Sequence, residues 1–299
     1  MSAPTIPENA RYTFGGDEFL FVEIDAAMSL AANARAMTIA QGLRSMDLAG
    51  LIEICPANAS LLLRVDPDIL DPRDLRTEVQ KLEEQSKAAS SVVLQTRIVE
   101  VPVWYEDPYT DETVWKYREG YHQEPTMSDL DYAAKVNGLT DKHEFIRRHH
   151  SSPWLVTMVG FVAGLPFMFQ LTDQEKQMEV PKYLSPRPSG TPGLTVGHGG
   201  AFSVIYSVPG AGGYQMFGLA AGPIYDPQQR GEDFGESMIY FRPGDIVKFT
   251  PVTEEEYRTM QKQVDAGTFA YRTFPVEFDA EASQADPEGY NQRLLETLA

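Results

Sequence analysis

The chain of 299 residues contains a single cysteine, Cys55, so no intrachain disulfide can form. Cys55 closes the apolar run 51–55, and this setting favours a thiol buried in a core over a catalytic nucleophile. A chain with so little cysteine shows no sign of the oxidising compartments that disulfide-rich proteins occupy. We therefore expect a cytoplasmic protein.

Long hydrophobic runs and basic residues are also scarce. No apolar run approaches the roughly 20 residues that span a bilayer, and residues 1–11 lack the basic leader and apolar core of a secretory signal. Lys and Arg number 25 against 43 Asp and Glu, which gives a formal net charge of -18. Because nucleic acids and anionic membranes would repel such a chain, neither is expected as a partner.

Several common cofactor motifs are absent as well. The chain has no Gly-x4-Gly-Lys-Ser/Thr loop, which excludes a phosphate-binding loop of that type. Gln215 stands where the dinucleotide-binding pattern requires its third glycine. The five histidines form neither a His-Glu-x-x-His helix nor close Cys/His pairs. We therefore predict no metal site and no nucleotide site of these types within the chain.

What is present begins with an α+β pattern over residues 1–100. Alternation and turn residues predict strands at 19–24, 51–55, 61–65 and 96–103. Helices are predicted at 29–46 and from Asp71-Pro72 onward, where Asp71 caps the helix. The order strand, helix, strand, strand, helix, strand is that of a ferredoxin-like α/β sandwich.

The rest of the chain changes character twice. Residues 101–152 read as a helical connecting segment, with helices at 113–121, from a Thr126 or Ser128 cap to Val136, and from a Thr140 cap to His150. Short strands between Gly/Pro turns then predict a β-barrel over 153–275, with strands at 154–162, 193–196, 202–206, 213–218 and 246–251. Thr253 opens a helix with a capping box. Residues 276–299 form an acidic tail that we expect to pack loosely.

The glycine clusters of the barrel region place several functional candidates. His150 ends a helix just before the first barrel strand, where it could move protons or simply be a solvated helix end. Arg187 lies between two prolines on a stiff backbone, which suits either a carboxylate or phosphate ligand or a surface ion pair. Gln215 follows Gly212-Gly213-Tyr214 and carries an amide that can both donate and accept.

These motifs together resemble the carboxyltransferase domain family of urea carboxylase, allophanate hydrolase subunit 1 and the 5-oxoprolinase B subunit, to which small kinase-inhibitor proteins are related. The resemblance rests on Arg97 through Pro108, Gly190 through Ala201, Tyr206, Pro209-Gly210, Gly212 through Gln215, and Phe249 through Glu256. It covers most of residues 12–275. It implies a cyclophilin-like barrel after the ferredoxin-like part, and an active site that a second subunit completes.

The resemblance also implies roles for individual residues. It carries over Lys182, Arg187, Tyr206, Tyr214 and Gln215 as residues that line the pocket. With the candidates from the residue pattern added, the catalytic set is His150, Arg187 and Gln215; the substrate-binding set is Phe161, Lys182, Tyr183, Tyr206 and Tyr214; and Gly212 and Gly213 border the cofactor. The chain has no Met-Lys dipeptide, the usual point of biotin attachment. Carboxybiotin and ATP are therefore expected on partner chains. Those partners would be an allophanate hydrolase subunit 2-like chain and a biotin carboxylase or carrier chain.

Three functions remain open from the sequence. The leading one is a non-autonomous carboxyltransferase subunit that acts on an amide, urea-like or guanidine-like nitrogen. The second is a subunit of an ATP-dependent lactam or 5-oxoproline hydrolase complex, and the third is a non-catalytic kinase-inhibitor-type regulator. The corner at Gly160-Phe161 lacks the acid found in urea carboxylases and resembles the bacterial subunits, so the resemblance does not assign urea as the substrate.

Overall fold

A computed structural model of the chain describes residues 6–88 and 93–299. The chain forms two compact units. One runs up to Gln95 and includes Glu277–Asp286, and the other comprises Thr96–Val276 and Pro287–Ala299. Residues 101–152, predicted as a connecting segment, lie within the second unit. None of the helices in these described ranges is long and apolar enough to cross a membrane.

The first unit is a four-stranded antiparallel sheet with two helices. Its elements are β1 (Arg11–Gly15), β2 (Phe19–Glu23), α1 (Leu30–Met46), β3 (Leu51–Pro56), β4 (Ser60–Val65) and α2 (Pro72–Ala88), with strand order β1-β2-β4-β3. Alternate residues Leu20, Val22, Leu61 and Leu63 are buried against the helices. Helix α1 begins where the Ser29 hydroxyl accepts a hydrogen bond from the Ala32 amide, at 3.1 Å.

Residues 96–103 form a strand as predicted, but their predicted place in this sheet is wrong. Residues 96–103 belong to a strand of the second unit, and β1 occupies the edge position beside β2. The sequence showed Gly15-Gly16 only as a turn, but Gly16 adopts φ +65° and closes a hairpin between β1 and β2. The placement of Cys55 is also corrected. It is exposed, because it faces the side of the sheet that the helices leave open.

The second unit is built on a closed seven-stranded barrel, so the chain as a whole is a mixed α/β protein. Its strands are β5 (Val93–Tyr105), β6 (Trp154–Val159), β7 (Pro166–Gln170), β8 (Arg187–Thr191), β9 (Thr195–Gly199), β10 (Phe202–Ile205), β11 (Gly210–Gly212), β12 (Gln215–Ala220), β13 (Ile246–Pro251) and β14 (Arg272–Asp279). The ring runs β12-β9-β10-β7-β6-β13-β5 and closes from β5 to β12, while β14 pairs outside it and β8 pairs with β11.

Helices surround the barrel. They are α3 (Pro108–Lys116), α4 (Asp129–Val136), α5 (Lys142–Ser151), α6 (Glu254–Asp265) and α8 (Pro287–Glu296), whereas α7 (Ala280–Ala285) belongs to the first unit and packs against α1. The predicted caps Ser128 and Thr253 are confirmed, whereas α5 is capped by Asp141 rather than Thr140. The predicted helix 113–121 is shifted, because Asp107 caps α3 and Pro108 is its first residue.

The acidic tail is more ordered than predicted. Residues 276–299 complete β14 and form α7 and α8. Within the second unit, the Asn291 side chain donates a hydrogen bond to the Leu171 carbonyl at 2.6 Å. Leu294 is buried in the same helix. The high acid content of this segment therefore reflects the outer faces of short helices rather than loose packing.

Two histidines lie in the barrel interior. His149 Nε2 is 3.0 Å from the Ser203 hydroxyl and its Nδ1 is 2.8 Å from the Tyr105 hydroxyl, while His198 Nε2 is 3.1 Å from the Met178 carbonyl. Both rings are fully buried, and Trp154 packs against both of them. Burial disfavours the charged imidazole, so the pKa of His149 is well below its usual value and that of His198 falls to about 4.

Barrel closure sets a first prediction. A Cβ atom on Gly218 of β12 would lie 2.4 Å from the Trp104 carbonyl oxygen of β5, so Gly218→Ala forces the closing strands apart. We expect a loss of about 2–3 kcal/mol in unfolding free energy. Denaturation followed by tryptophan fluorescence measures it, because Trp104, Trp115 and Trp154 all lie in the second unit.

The matched control for this change is Gly210→Ala, where an added Cβ meets no atom within 4 Å. Its unfolding free energy should stay within about 0.5 kcal/mol of wild type. Equal denaturation midpoints for the two variants would contradict a tight β5–β12 closure.

The pKa of about 4 at His198 sets a second prediction. In the unfolded chain the His198 imidazole takes up a proton as the pH falls through about 6.5, whereas in the folded chain it stays neutral down to about pH 4. The contribution of His198 to the unfolding free energy is therefore fully present above pH 6.5 and is lost as the pH drops toward 4. Between pH 7 and 4.5 the wild type should lose about 2–3 kcal/mol more than His198→Gln, since one pKa unit is about 1.4 kcal/mol. Urea denaturation at both pH values checks this. The exposed His143→Gln variant is the control, and its profile should follow that of wild type.

Candidate functional site

A buried carboxylate, Asp129, holds three parts of the second unit together. Its side chain is 1% exposed. It accepts hydrogen bonds from Arg118 Nη1 at 2.6 Å, the Tyr183 hydroxyl at 2.8 Å and the Met216 amide at 2.7 Å. Burial raises the pKa of Asp129, and the Arg118 charge opposes that rise. One acid at the start of α4 thus fixes the segment after α3, the segment before β8, and β12.

Arg187 lies close enough to this network for its charge to oppose the rise in the pKa of Asp129, but it forms no hydrogen bond to that carboxylate. The side chain is 0% exposed, and its guanidinium stacks 4.5 Å from the centre of the Tyr183 ring. Nε donates to the Thr191 hydroxyl at 3.3 Å, but Nη1 and Nη2 have no hydrogen-bond partner in the described parts of the chain. An unpaired buried charge is costly. This position therefore favours an anionic ligand.

Glycine brings Tyr206 against this arginine, and Tyr214 packs beside Tyr206. A Cβ atom on Gly212 would lie 2.6 Å from the Tyr206 hydroxyl and 3.0 Å from Arg187 Nη2, so only glycine fits there. Tyr206 and Tyr214 pack in one small cluster. Burial raises the pKa of both phenols, to about 12 for Tyr214. Their neutral hydroxyls can therefore serve as hydrogen-bonding groups near Arg187.

Lys182 supplies a second cation beside this cluster. Its amine lies 5.0 Å from the centre of the Tyr214 ring, and the side chain is exposed. Gly213, whose carbonyl accepts from the Tyr183 amide at 2.8 Å, ties the Lys182 segment to the start of β12. Contacts therefore connect seven of the predicted residues: Lys182, Tyr183, Arg187, Tyr206, Gly212, Gly213 and Tyr214.

Gln215 is buried beside the network, but protein groups occupy both ends of its amide. Its Nε2 donates to the Pro181 carbonyl at 2.8 Å, and its Oε1 is 3.0 Å from His122 Nε2. The Glu124 amide donates to His122 Nδ1 at 2.8 Å, so the imidazole carries its proton on Nε2 and donates it to Gln215. In this state Gln215 positions the Pro181 segment.

His150 and Phe161 lie outside this group of contacts. His150 is half-buried in the last turn of α5, where the Lys248 amine donates to its carbonyl oxygen. Burial and the Lys248 charge lower the pKa of His150, so the neutral imidazole is favoured although the side chain lies at a helix end. Phe161 is 70% exposed at the β6–β7 turn and adopts φ +71°, an unusual conformation for a bulky residue.

The sequence did not reveal Arg118, His122 or Asp129 as site residues. Asp129 follows the Ser128 cap, where an acid is explained by the helix dipole alone. Arg118 and His122 fall in a segment predicted to be a helix and then a loop. Asp129 also lines a cavity of about 360 Å³ together with Glu106, Asp107, Ser128 and Lys142. The sequence offered one signal for these residues: Arg118 and His122 are four positions apart and precede Asp129 at a capped helix start.

The comparisons with known proteins place this geometry in a family. The family model described as carboxyltransferase domain, subdomain C and D, matches residues 10–234, and the chain belongs to this family. The chain is 26% identical over 258 residues to the 5-oxoprolinase B subunit of Bacillus subtilis (strain 168), covering 83% of this chain and 95% of that protein. It is 28% identical over 252 residues to the 5-oxoprolinase B subunit of Escherichia coli O157:H7, covering 83% and 98%.

Longer proteins match as well. Urea amidolyase of Lachancea kluyveri is 26% identical over 272 residues, which is 90% of this chain and 15% of that protein. The crystal structure of the K. lactis urea amidolyase superposes with a TM-score of 0.81 at 24% identity, over 96% of this chain and 17% of that one. The crystal structure of the Kluyveromyces lactis urea carboxylase superposes with a TM-score of 0.80 at 23% identity, over 98% of this chain and 26% of that one. These two structures show the fold, and the chain spans about a quarter or less of their length.

The two buried arginines make a direct stability prediction. Arg118→Met leaves Asp129 buried without its ion-pair partner and should cost about 3–5 kcal/mol of unfolding free energy. Arg187→Met removes a charge with no carboxylate bonded to it, and should cost less than about 1 kcal/mol or stabilise the fold. Chemical denaturation of the two variants side by side measures the difference. A loss at Arg187 as large as that at Arg118 would show that Arg187 is already well paired.

Proposed function

We propose that this chain is one subunit of a heteromeric, biotin-dependent carboxyltransferase that acts on an amide, urea-like or guanidine-like nitrogen. Membership of the carboxyltransferase domain family and the match to urea carboxylase over nearly the whole chain support the reaction class. The unpaired, buried guanidinium of Arg187 carries the proposal, because a transferable carboxyl group is an anion that needs such a partner. Partner chains hold the ATP site and the biotin carrier.

The residues around Arg187 fit the recognition of a carboxyl group. Arg187 donates from Nη1 and Nη2, and Lys182 adds a second positive charge at the exposed side. The Tyr206 and Tyr214 hydroxyls bind neutral oxygen or nitrogen atoms of the substrate or the ureido ring. Gly212 leaves room for the Tyr206 hydroxyl beside Arg187, and Gly213, where an added Cβ would meet only Pro186 at 3.7 Å, leaves room for close approach of the carrier. When bound, a carboxylated carrier supplies the group that is transferred, and exclusion of water keeps that group from being lost.

Gln215, His150 and Phe161 have narrower roles in this proposal. Gln215 contacts a ligand only after its hydrogen bond to the Pro181 carbonyl or to His122 is exchanged for one to the ligand. His150 is a proton acceptor, since its lowered pKa keeps the imidazole neutral at neutral pH. Phe161 offers an exposed aromatic surface to the substrate or to the second subunit.

Reconstitution tests the function. The chain is combined with its partner subunits, ATP and labelled bicarbonate, and N-carboxylated product is measured with and without avidin. We expect bicarbonate-dependent, avidin-sensitive product formation. Arg187→Met should lower it about 100-fold, the effect of losing one preorganised donor, while carboxylation of the carrier is unchanged. The exposed Arg242→Met is the matched control and should leave turnover intact. Absence of any biotinylated subunit together with no bicarbonate incorporation contradicts the proposal.

A second candidate function has its own support. The chain covers 95% and 98% of two 5-oxoprolinase B subunits, so it matches those proteins from end to end. In an ATP-dependent lactam hydrolase complex, Arg187 would hold the carboxylate of the cyclic amide instead of a transferred carboxyl. ATP turnover that a cyclic amide stimulates in the absence of bicarbonate and biotin would select this function over carboxyl transfer.

A further inference from the structure

A groove away from Arg187 lies between α3 and α6 on the barrel unit. It encloses about 700 Å³. Helix α3 contributes Tyr109, Glu112, Thr113 and Lys116; α6 contributes Tyr257, Arg258, Gln261 and Lys262; and Gly190, Pro192 and Leu219 complete the lining. None of these eleven residues is among the candidates for the carboxyltransferase site. The groove therefore needs its own explanation.

The charge of the groove is opposite to that of the chain. Three cations and one carboxylate line it, in a chain whose formal net charge is -18. Arg258 is paired with Glu254 at 2.6 Å, but neither Lys116 nor Lys262 forms an ion pair within residues 6–88 and 93–299. Two exposed lysines without ion pairs therefore line one groove, although the Lys116 amine also lies 5.4 Å from the centre of the Tyr117 ring. Such a local reversal attracts an anionic partner.

Two of the lining residues, Tyr109 and Tyr257, are aromatic, and both pack against Trp104. The ring centres of Trp104 and Tyr257 are 5.3 Å apart, and those of Trp104 and Tyr109 are 6.3 Å apart. Tyr109 is 48% exposed. Burial raises the pKa of Tyr257 to about 12, so its hydroxyl stays neutral. Rigid aromatic rings supply contact area at low entropic cost, which suits an apolar anchor side chain.

The shape of the groove favours a polypeptide over a small molecule. Small-molecule sites bury most of the ligand surface, whereas the charged side chains here are exposed on the outer faces of two helices. We propose that the α3–α6 groove docks an acidic segment of another polypeptide. Carboxylates of that segment pair with Lys116 and Lys262, and an apolar side chain packs on Tyr109 and Tyr257. This proposal is independent of the function proposed for the Arg187 site.

Fluorescence anisotropy on the intact chain tests the docking. The probe is a fluorescein-labelled peptide of four Glu around one central Phe, and the comparison peptide has every Glu replaced by Gln. At low salt we expect the Glu peptide to bind about tenfold more tightly than the Gln peptide, and we expect that preference to shrink in about 0.5 M salt because exposed charges are screened. A Glu peptide that binds no better than the Gln peptide overturns the proposal.

Variants locate the binding site. Lys116→Glu/Lys262→Glu should weaken Glu-peptide binding about tenfold. Lys81→Glu/Lys176→Glu changes the net charge equally, away from the groove, and should shift the affinity less than about twofold. Equal effects of the two double variants would show a purely global charge effect and overturn the assignment. Displacement of the peptide by ATP at lower concentration than unlabelled peptide would identify a small-anion site, which also overturns it.

Discussion

The arrangement of charge around Asp129 governs the candidate site. One buried carboxylate meets two buried guanidinium groups, and its bonds go to Arg118, to Tyr183 and to the backbone of β12. Arg187 contributes a positive charge that this carboxylate does not bond directly. A protein interior tolerates such an excess only when a function needs it or when a further partner arrives. The fold therefore pairs Arg118 with a carboxylate and buries Arg187 without one.

Glycine explains how bulky side chains reach that arginine. Cβ atoms on Gly199 and Gly212 would lie 2.5 Å from the Tyr214 ring and 2.6 Å from the Tyr206 hydroxyl. The glycine clusters in the sequence suggested close approach of backbone to ligand. In the structure, the same lack of side chains admits Tyr206 beside Arg187 and Tyr214 beside Gly199. Gly199 and Gly212 therefore shape the site by allowing the Tyr214 and Tyr206 side chains to pack against the backbone.

Local signals in the sequence predicted the fold well where neighbouring residues decide the structure. The caps Ser29, Ser128 and Thr253 satisfy amides three residues ahead, and that chemistry is written in the sequence. The strand at 96–103 was also recognised, but its partners were not. Its pairing with β13 is parallel and joins residues nearly 150 positions apart, from Ile98–Ile246 to Val103–Pro251. No local pattern specifies a contact of that separation.

The same limit applies to the site. Arg187, Tyr206, Gly212 and Tyr214 were predicted because they occur within one glycine-rich stretch and carry a family resemblance. Asp129 was missed because its position at a helix start already explains an acid there, although its side chain reaches β12, 87 residues further along. Buried ion pairs are recognised from three-dimensional neighbours, so only the closed barrel reveals them.

The hydrogen bonds of Gln215 connect His122 to the segment that carries Arg187. Its amide joins His122 to the Pro181 carbonyl, and Pro181 precedes the segment that carries Lys182, Tyr183 and Arg187. Loss of the bond from Gln215 to the Pro181 carbonyl would release the start of that segment, and the fully buried Arg187 becomes accessible only if the segment moves. The accessibility of Arg187 therefore depends on contacts made far from its own guanidinium group.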